Sequence, residues 1–378
     1  MLFLFYKKIK KIMNISKKTL QISKKNETPF LIIDQTVLIN NCNQFKKNFS
    51  NFLIYYSIKA NNTNEVLKIL IQEDINFEIA SLGEMQKLQE LNVPPDRIIF
   101  SAPTKLSRDI ELAYKYGITT YTFDSLMEVE KIAKFAPKSN ILGRIIVDNT
   151  GSEWPLVGKF GMTISETLDF FLHAKKIGLN PLGLSFHVGS QNLQPDSWEK
   201  ALEKVHHLWE QLQKKGVHLS VINAGGGFPV HYTKDIPSVE VIASKIKKTA
   251  EKLFKDQTTF YIEPGRRMLG NAGILVASVI NRTKRGEKEW LYLDTGVYHG
   301  FQETIEGFRY EVFTEKTGED IPFVLCGPTC DSTDIIMKEV LLPDTVTLDD
   351  RLYFLSCGAY TTSYEAYNGY GYPETIIV

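Results

Sequence analysis

The sequence predicts an α/β fold, a (β/α)8 TIM-like barrel followed by a second, C-terminal all-β domain. Three observations lead there. Between Phe52 and Ile262 short apolar runs alternate eight times with helix-patterned stretches; the alternation stops near Gly270; and beyond it short apolar runs lie between Gly, Asp and Lys turns with little helical period. At 378 residues the chain is also long for one core, so two domains are expected.

The elements are read in order. Residues 1–27 are expected to be an N-terminal extension, partly disordered, that leads into the β domain. Met1–Tyr6 is apolar but only six residues long, and lysines follow it, which suits neither a signal peptide nor a membrane span. Residues 28–270 are assigned to the barrel, entered by the strand Thr28–Asp34 and a helix spaced by Leu38, Cys42 and Phe45. Barrel strands are predicted at Phe52–Ile58, Phe77–Ala80, Arg97–Phe100, Thr119–Phe123, Ile141–Val147, Leu182–Phe186, Leu219–Asn223 and Thr259–Ile262. Helices are predicted at Asn64–Gln72, Gly83–Leu91, Ser107–Tyr116, Ser125–Phe135, near Ser165–Ile177, Trp198–Lys214 and Val239–Phe254. Residues 271–378 are assigned to the β domain, with strands at Ile274–Ile280, Trp290–Asp294, Tyr310–Phe313, Phe323–Cys326 and Arg351–Ser356.

Charge and cysteine usage narrow the function classes. Lys+Arg and Asp+Glu are equal at 44 each, so no bulk field favours nucleic acid or an anionic membrane. Cys42, Cys326, Cys330 and Cys357 lack CxxC or metal-finger spacing, which points to a reducing cytoplasm and to no metal site.

In such a barrel the side chains at strand C-termini face one mouth. The residues following the predicted strands there include Lys59, Glu78 with Ser81, Arg144, His187 with Ser190, Gly225-Gly226-Gly227, and Glu263 with Gly265-Arg266. A lysine ending a buried strand is desolvated, the condition under which an amine attacks a carbonyl, so a Schiff base is inferred at Lys59. Bare glycine N–H groups can close on a phosphate, and Arg266 supplies a fixed cation for the same anion. His187 has neither HExxH spacing nor a cysteine partner, which leaves stacking on a heteroaromatic ring or a satisfied core histidine. Glu263 needs a positive partner, and a protonated pyridine nitrogen would be one. These parts fit pyridoxal phosphate.

At this point the sequence resembles a fold-type III pyridoxal-phosphate decarboxylase of the ornithine/diaminopimelate/arginine group, nearest its ornithine and bacterial lysine/ornithine branches. The resemblance runs from about Thr28 to Tyr370. It is carried by Tyr56-Ser57-Ile58-Lys59-Ala60-Asn61, Phe77-Glu78-Ile79-Ala80-Ser81, His187-Val188-Gly189-Ser190, Gly225-Gly226-Gly227-Phe228-Pro229, Glu263-Pro264-Gly265-Arg266, Gly327-Pro328-Thr329-Cys330-Asp331 and Gly358-Ala359-Tyr360-Thr361. It implies that Lys59 carries the cofactor, His187 stacks on its ring and Glu263 pairs with the ring nitrogen. Ser190, the three glycines, Gly265, Arg266 and Tyr360 would hold the phosphate, with Glu78 and Arg144 on the Lys59 side. It further implies a homodimer whose β domains complete each other's sites. Cys330 would return a proton to Cα, Asp331, Glu306, Tyr298 and Tyr367 would contact substrate, and Lys159 would pair with Asp334 across the subunits. The expected reaction is L-ornithine to putrescine and CO2, in the cytoplasm, with no nucleic acid or membrane partner. The alternatives are lysine or diaminopimelate as substrate, a racemase on the same barrel, or an inactive regulatory homologue.

Overall fold

In a computed structural model, which describes Gln21 and residues 24–156, 158–255 and 257–364, the chain divides into two compact units. One takes the residues up to Gln35 together with Asn271–Thr361; the other takes Thr36–Gly270 and the residues from Thr362 on. The expected N-terminal extension lies almost wholly outside the described residues.

In chain order the elements begin β1 (Phe30–Ile33), α1 (Gln35–Asn48), β2 (Phe52–Ser57), α2 (Asn64–Gln72), β3 (Asn76–Ile79), α3 (Leu82–Glu90), β4 (Ile98–Phe100) and α4 (Ser107–Tyr116). They continue with β5 (Thr120–Phe123), α5 (Leu126–Phe135), β6 (Asn140–Arg144), β7 (Ser152–Trp154), α6 (Ile164–Lys176), β8 (Asn180–Ser185) and β9 (Ser190–Asn192). Then come α7 (Asp196–Lys214), β10 (Val221–Asn223), α8 (Val239–Leu253), β11 (Thr259–Ile262) and the short α9 (Arg266–Leu269). Eight strands, in the order β2-β3-β4-β5-β6-β8-β10-β11, close into a parallel barrel through the pairing of β11 with β2. Parallel strands covered on both faces should be apolar without alternation, and β2 obeys: Ile54, Tyr55, Tyr56 and Ser57 are all buried. Helices cover the outside with one apolar stripe each. In α7 the stripe is Trp198, Ala201, Leu202, Val205, Leu208 and Leu212, a helical spacing that leaves Glu203 and Glu210 to solvent. Serine and threonine caps start several of them, with the fullest cap at α6, where Thr163 and Glu166 exchange bonds with each other's backbone.

The other unit is a seven-stranded sheet. It contains β12 (Gly273–Arg285), β13 (Lys288–Leu293), β14 (Val312–Phe313), β15 (Asp320–Cys326), β16 (Ile335–Pro343) and β17 (Arg351–Leu355), in the order β14-β17-β12-β13-β15-β16. β1 is its seventh member, paired antiparallel with β12 from Phe30 opposite Val276 to Ile33 opposite Gly273. This corrects the boundary expected at residue 28. The first strand has only half-buried positions, whereas a strand of this barrel is covered on both faces, and its hydrogen bonds go to the sheet. β16 is a second departure, since no strand is expected there; its apolar run is broken by Lys338 and Glu339. The small antiparallel pair of β7 and β9 is the third, joining the loops after β6 and β8. Among the described residues no helix is long and apolar enough to cross a membrane.

Candidate active site

The C-terminal ends of the barrel strands carry the predicted barrel residues. Lys59 sits in a one-turn 3-10 helix directly after β2, and its Nζ lies 2.8 Å from Oε2 of Glu78, the third residue of β3. Glu78 is buried and the Lys59 side chain is 27% exposed. The amine is therefore not the isolated, desolvated group that its strand suggests; a carboxylate from the adjacent strand holds it. Arg144 ends β6 and lies over the Phe160 ring, 5.3 Å from its centroid. Burial draws the guanidinium below its usual range, opposed by Glu263, Asp124 and Glu78.

His187 follows β8, and its Nδ1 accepts the Gly189 N–H at 3.0 Å. Burial, then the positive charges of Arg144 and Lys59, push this imidazole well below its usual range, so the ring is neutral at neutral pH. Against it lies Gly226. A Cβ added there would stand 2.6 Å from the Glu263 carbonyl oxygen and 3.1 Å from His187 Nε2, so only hydrogen fits. Gly225 and Gly227 have φ of +65° and +98°, the left-handed region that glycine enters without strain. Arg266 is buried; its Nε and Nη2 donate to Ser190 Oγ at 3.3 and 3.2 Å, and its Nη1 to the Tyr232 hydroxyl at 2.7 Å. Gly265 caps the start of α9 and so sets where Arg266 leaves the strand end. One edge of the mouth thus carries a glycine turn, a hydroxyl and a guanidinium, the donor set of a phosphate cradle.

Glu263 follows β11. Its Oε1 accepts from Ser101 Oγ at 2.6 Å and from Asn223 Nδ2 at 2.7 Å. Burial and the like charge of Glu78 raise its carboxyl, while these two donors and Lys59 lower it. The residues present fit pyridoxal phosphate on the strength of this chemistry: an amine, a neutral imidazole, a carboxylate suited to a ring N–H, and a glycine turn, hydroxyl and guanidinium that can hold an anion. Sequence reasoning missed Ser101, Asn223 and Tyr232. The first two stand where the signal was being sought, immediately after β4 and at the end of β10.

The all-β unit carries the remaining predicted residues. Asp331 accepts the Tyr298 hydroxyl at 2.6 Å on Oδ2, and the Thr333 N–H at 2.9 Å and hydroxyl at 2.8 Å on Oδ1. The Tyr298 bond, then those of Thr333, hold its carboxyl below the usual range. Cys330, Asp331, Tyr298 and Glu306 are exposed, and Tyr360 is half-buried with φ of +62°. Asp334 is buried at 2%, and its carboxylate accepts from Val297 N, Thr329 N and Thr329 Oγ1. The group expected to pair with Lys159 between subunits is thus already engaged inside its own unit. Tyr367 lies outside the described residues.

Residues 36–270 match the family described as pyridoxal-dependent decarboxylase, pyridoxal binding domain. The chain is 34% identical over 360 residues to the lysine/ornithine decarboxylase of Selenomonas ruminantium, covering 94% of this chain and 91% of that one. It superposes with a TM-score of 0.86 on the crystal structure of SrLDC in complex with PLP and cadaverine, at 33% identity, covering 94% of this chain and 91% of that one. The arginine decarboxylase of Paramecium bursaria Chlorella virus, bound to agmatine, also gives 0.86, at 28% identity and with 94% and 98% covered. A barrel whose strand ends hold this donor set defines a pyridoxal-phosphate enzyme, and the chain belongs to the pyridoxal-dependent decarboxylase family. It is a carboxy-lyase that uses pyridoxal phosphate.

Proposed function

We propose that this carboxy-lyase acts on a basic amino acid, L-ornithine in first place, releasing CO2 and putrescine. The observation that carries the reading is the mouth itself, where Lys59, Glu78, His187, Glu263, Gly226 and Arg266 stand at the ends of neighbouring strands. Lys59 is the residue that would link the cofactor, and Glu78 holds its amine when that link is open. His187, kept neutral, would lie on one face of the ring. Ser190, Gly225, Gly226, Gly227, Gly265 and Arg266, with Tyr360, bind the phosphate, and Arg144 balances the two carboxylates. When bound, the cofactor supplies an electron sink for the carbon that loses CO2. Glu263 would keep that sink effective by pairing with the ring N–H. Cys330 would return a proton to Cα.

Specificity rests on Asp331, an exposed anion braced by Tyr298, which suits a substrate ending in an ammonium group. Glu306, Tyr298 and Tyr367 complete that end. We infer a homodimer in which Cys330 and Asp331 serve the partner subunit's barrel, working in the cytoplasm. Lysine is the second reading, supported by the lysine/ornithine decarboxylase of Selenomonas ruminantium. One methylene is worth only about 1–3 kcal/mol of discrimination, so both are expected to turn over. The test is CO2 release from ornithine, lysine, arginine and diaminopimelate side by side, with products identified. Turnover retained in Lys59→Ala refutes the assignment of the linking lysine; an unchanged substrate order in Asp331→Ala refutes that of the distal anion. Sizing of wild type, and activity regained by mixing Lys59→Ala with Cys330→Ala protein, test the shared site.

A further inference from the structure

We propose that Ser101 and Asn223 are positioning residues for Glu263: from different sides of the barrel they pin one oxygen of its carboxylate and leave the other available to the ring nitrogen of the cofactor. The geometry is particular. Asn223 ends β10, the direct neighbour of β11, whereas Ser101 follows β4, which lies beyond β2 and β3 on the other side. Both donate to the same Oε1, at 2.7 and 2.6 Å. A carboxylate oxygen reached from two directions has little freedom left.

The donor roles are fixed by the surroundings. Asn223 Oδ1 accepts the Gly225 N–H at 3.0 Å, so the amide can only turn its NH2 toward Glu263, and one side chain joins the glycine turn to the carboxylate. The turn carrying Ser101 is anchored in its own right, because the buried Lys105 ammonium donates to the carbonyl of Ala102 at 2.8 Å and of Thr122 at 2.6 Å. Two neutral donors on a carboxylate favour its anion. They are needed, because burial and Glu78 push the other way. The other ionisable groups that bear on Glu263 are Lys59 and Arg144, which favour the anion, and Tyr55, whose hydroxyl is itself driven upward by burial. The donors are the part of this balance that adds no net charge, so they can hold the anion without cancelling the charge that would meet the ring N–H.

The proposal rests on the decarboxylase reading, and its test separates the two. Glu263 is titrated in the cofactor-free protein from the infrared carboxyl band that Glu263→Gln abolishes, in wild type, Ser101→Ala, Ser101→Thr and Asn223→Asp. A hydrogen bond to a charged group is worth roughly tenfold or more in an equilibrium, so the band's midpoint is expected to rise by about one pH unit or more in Ser101→Ala. It should rise further in Asn223→Asp, where a second carboxylate replaces a donor, and return in Ser101→Thr. In the loaded enzyme kcat should fall about tenfold, with its acidic limb moved to higher pH and KM for substrate little changed. Midpoints identical in Ser101→Ala, Asn223→Asp and wild type overturn the proposal. If Ser101→Ala does not fold, Asn223→Asp against Ser101→Thr decides by the same criterion. Wild-type protein that takes up no pyridoxal phosphate and releases no CO2 refutes the decarboxylase reading instead, while the infrared midpoints still report whether the two donors govern the carboxylate.

Discussion

Lys105, in the loop after β4, offers the most demanding prediction, because a fully buried ammonium has to be compensated. Its side chain is 0% exposed and lies 2.9 Å from Glu128 Oε1, whose other oxygen meets Lys131 Nζ at 2.6 Å. The Lys105 contact is an ion pair and not a well-aligned hydrogen bond, since Glu128 Oε1 has no hydrogen-bond partner; the aligned bonds go to the carbonyls of Ala102 and Thr122. Replacement by methionine keeps the length and removes the charge. It strands two carbonyls and leaves Glu128 with Lys131 alone. Breaking one side of a buried pair costs about 3–5 kcal/mol. The residual Lys131 partner argues for the lower end, the two carbonyls for the upper. Urea unfolding of Lys105→Met, Glu128→Leu and the double variant forms a cycle. The double variant should be clearly less destabilised than the sum of the singles, because an apolar pair leaves no unpaired charge. A Lys105→Met protein within about 1 kcal/mol of wild type, or a strictly additive cycle, refutes the reasoning.

Three further outcomes concern Glu84, Gly226 and Arg266. Burial, then the nearby Glu78, raise the Glu84 carboxyl to about 8 from an ordinary 4.5, so the folded chain holds a proton that the unfolded chain has lost; stability falls as pH rises between these values, by about 5 kcal/mol at most, and Glu84→Gln should flatten that slope in thermal melts at stepped pH. Gly226→Ala drives a methyl to within 2.6 Å of the Glu263 carbonyl oxygen, so the backbone at Glu263 must shift, and pyridoxal phosphate binding, read by fluorescence titration, should weaken at least about tenfold. Arg266→Lys keeps the charge but loses the fork that spans Ser190 and Tyr232, so cofactor affinity should fall by about one to two orders of magnitude, and Tyr232→Phe should lose less.

Much of this was legible because the barrel is a repetitive solution to one burial problem. A strand covered on both faces is mostly apolar, so its end is where charged or titratable residues emerge, and Lys59, Arg144, His187 and Glu263 all announce themselves that way. What stayed hidden depends on partners distant in sequence. The half-buried run Phe30–Ile33 pairs with residues 273–276, and nothing local says whether its hydrogen bonds go to a barrel or a sheet. Within β16, Lys338 and Glu339 interrupt an otherwise apolar run, so it does not stand out. Ser101 is a small polar residue after a three-residue strand, a composition common in loops, and its role exists only because β4 and β11 face a common centre.

The mouth also has a consistent charge logic. Lys59 and Arg144 face Glu78 and Glu263, two cations against two carboxylates, and burial, then the same cations, keep His187 neutral. A neutral imidazole can lie flat on a cationic pyridinium without repulsion, which a protonated one cannot. A separate cation, Arg266, donates to the hydroxyls of Ser190 and Tyr232. If an acid stood where Ser190 or Tyr232 stands, it would compete with the phosphate for the same guanidinium. The hydroxyls on Arg266, like the neutral donors on Glu263, fix geometry without adding charge.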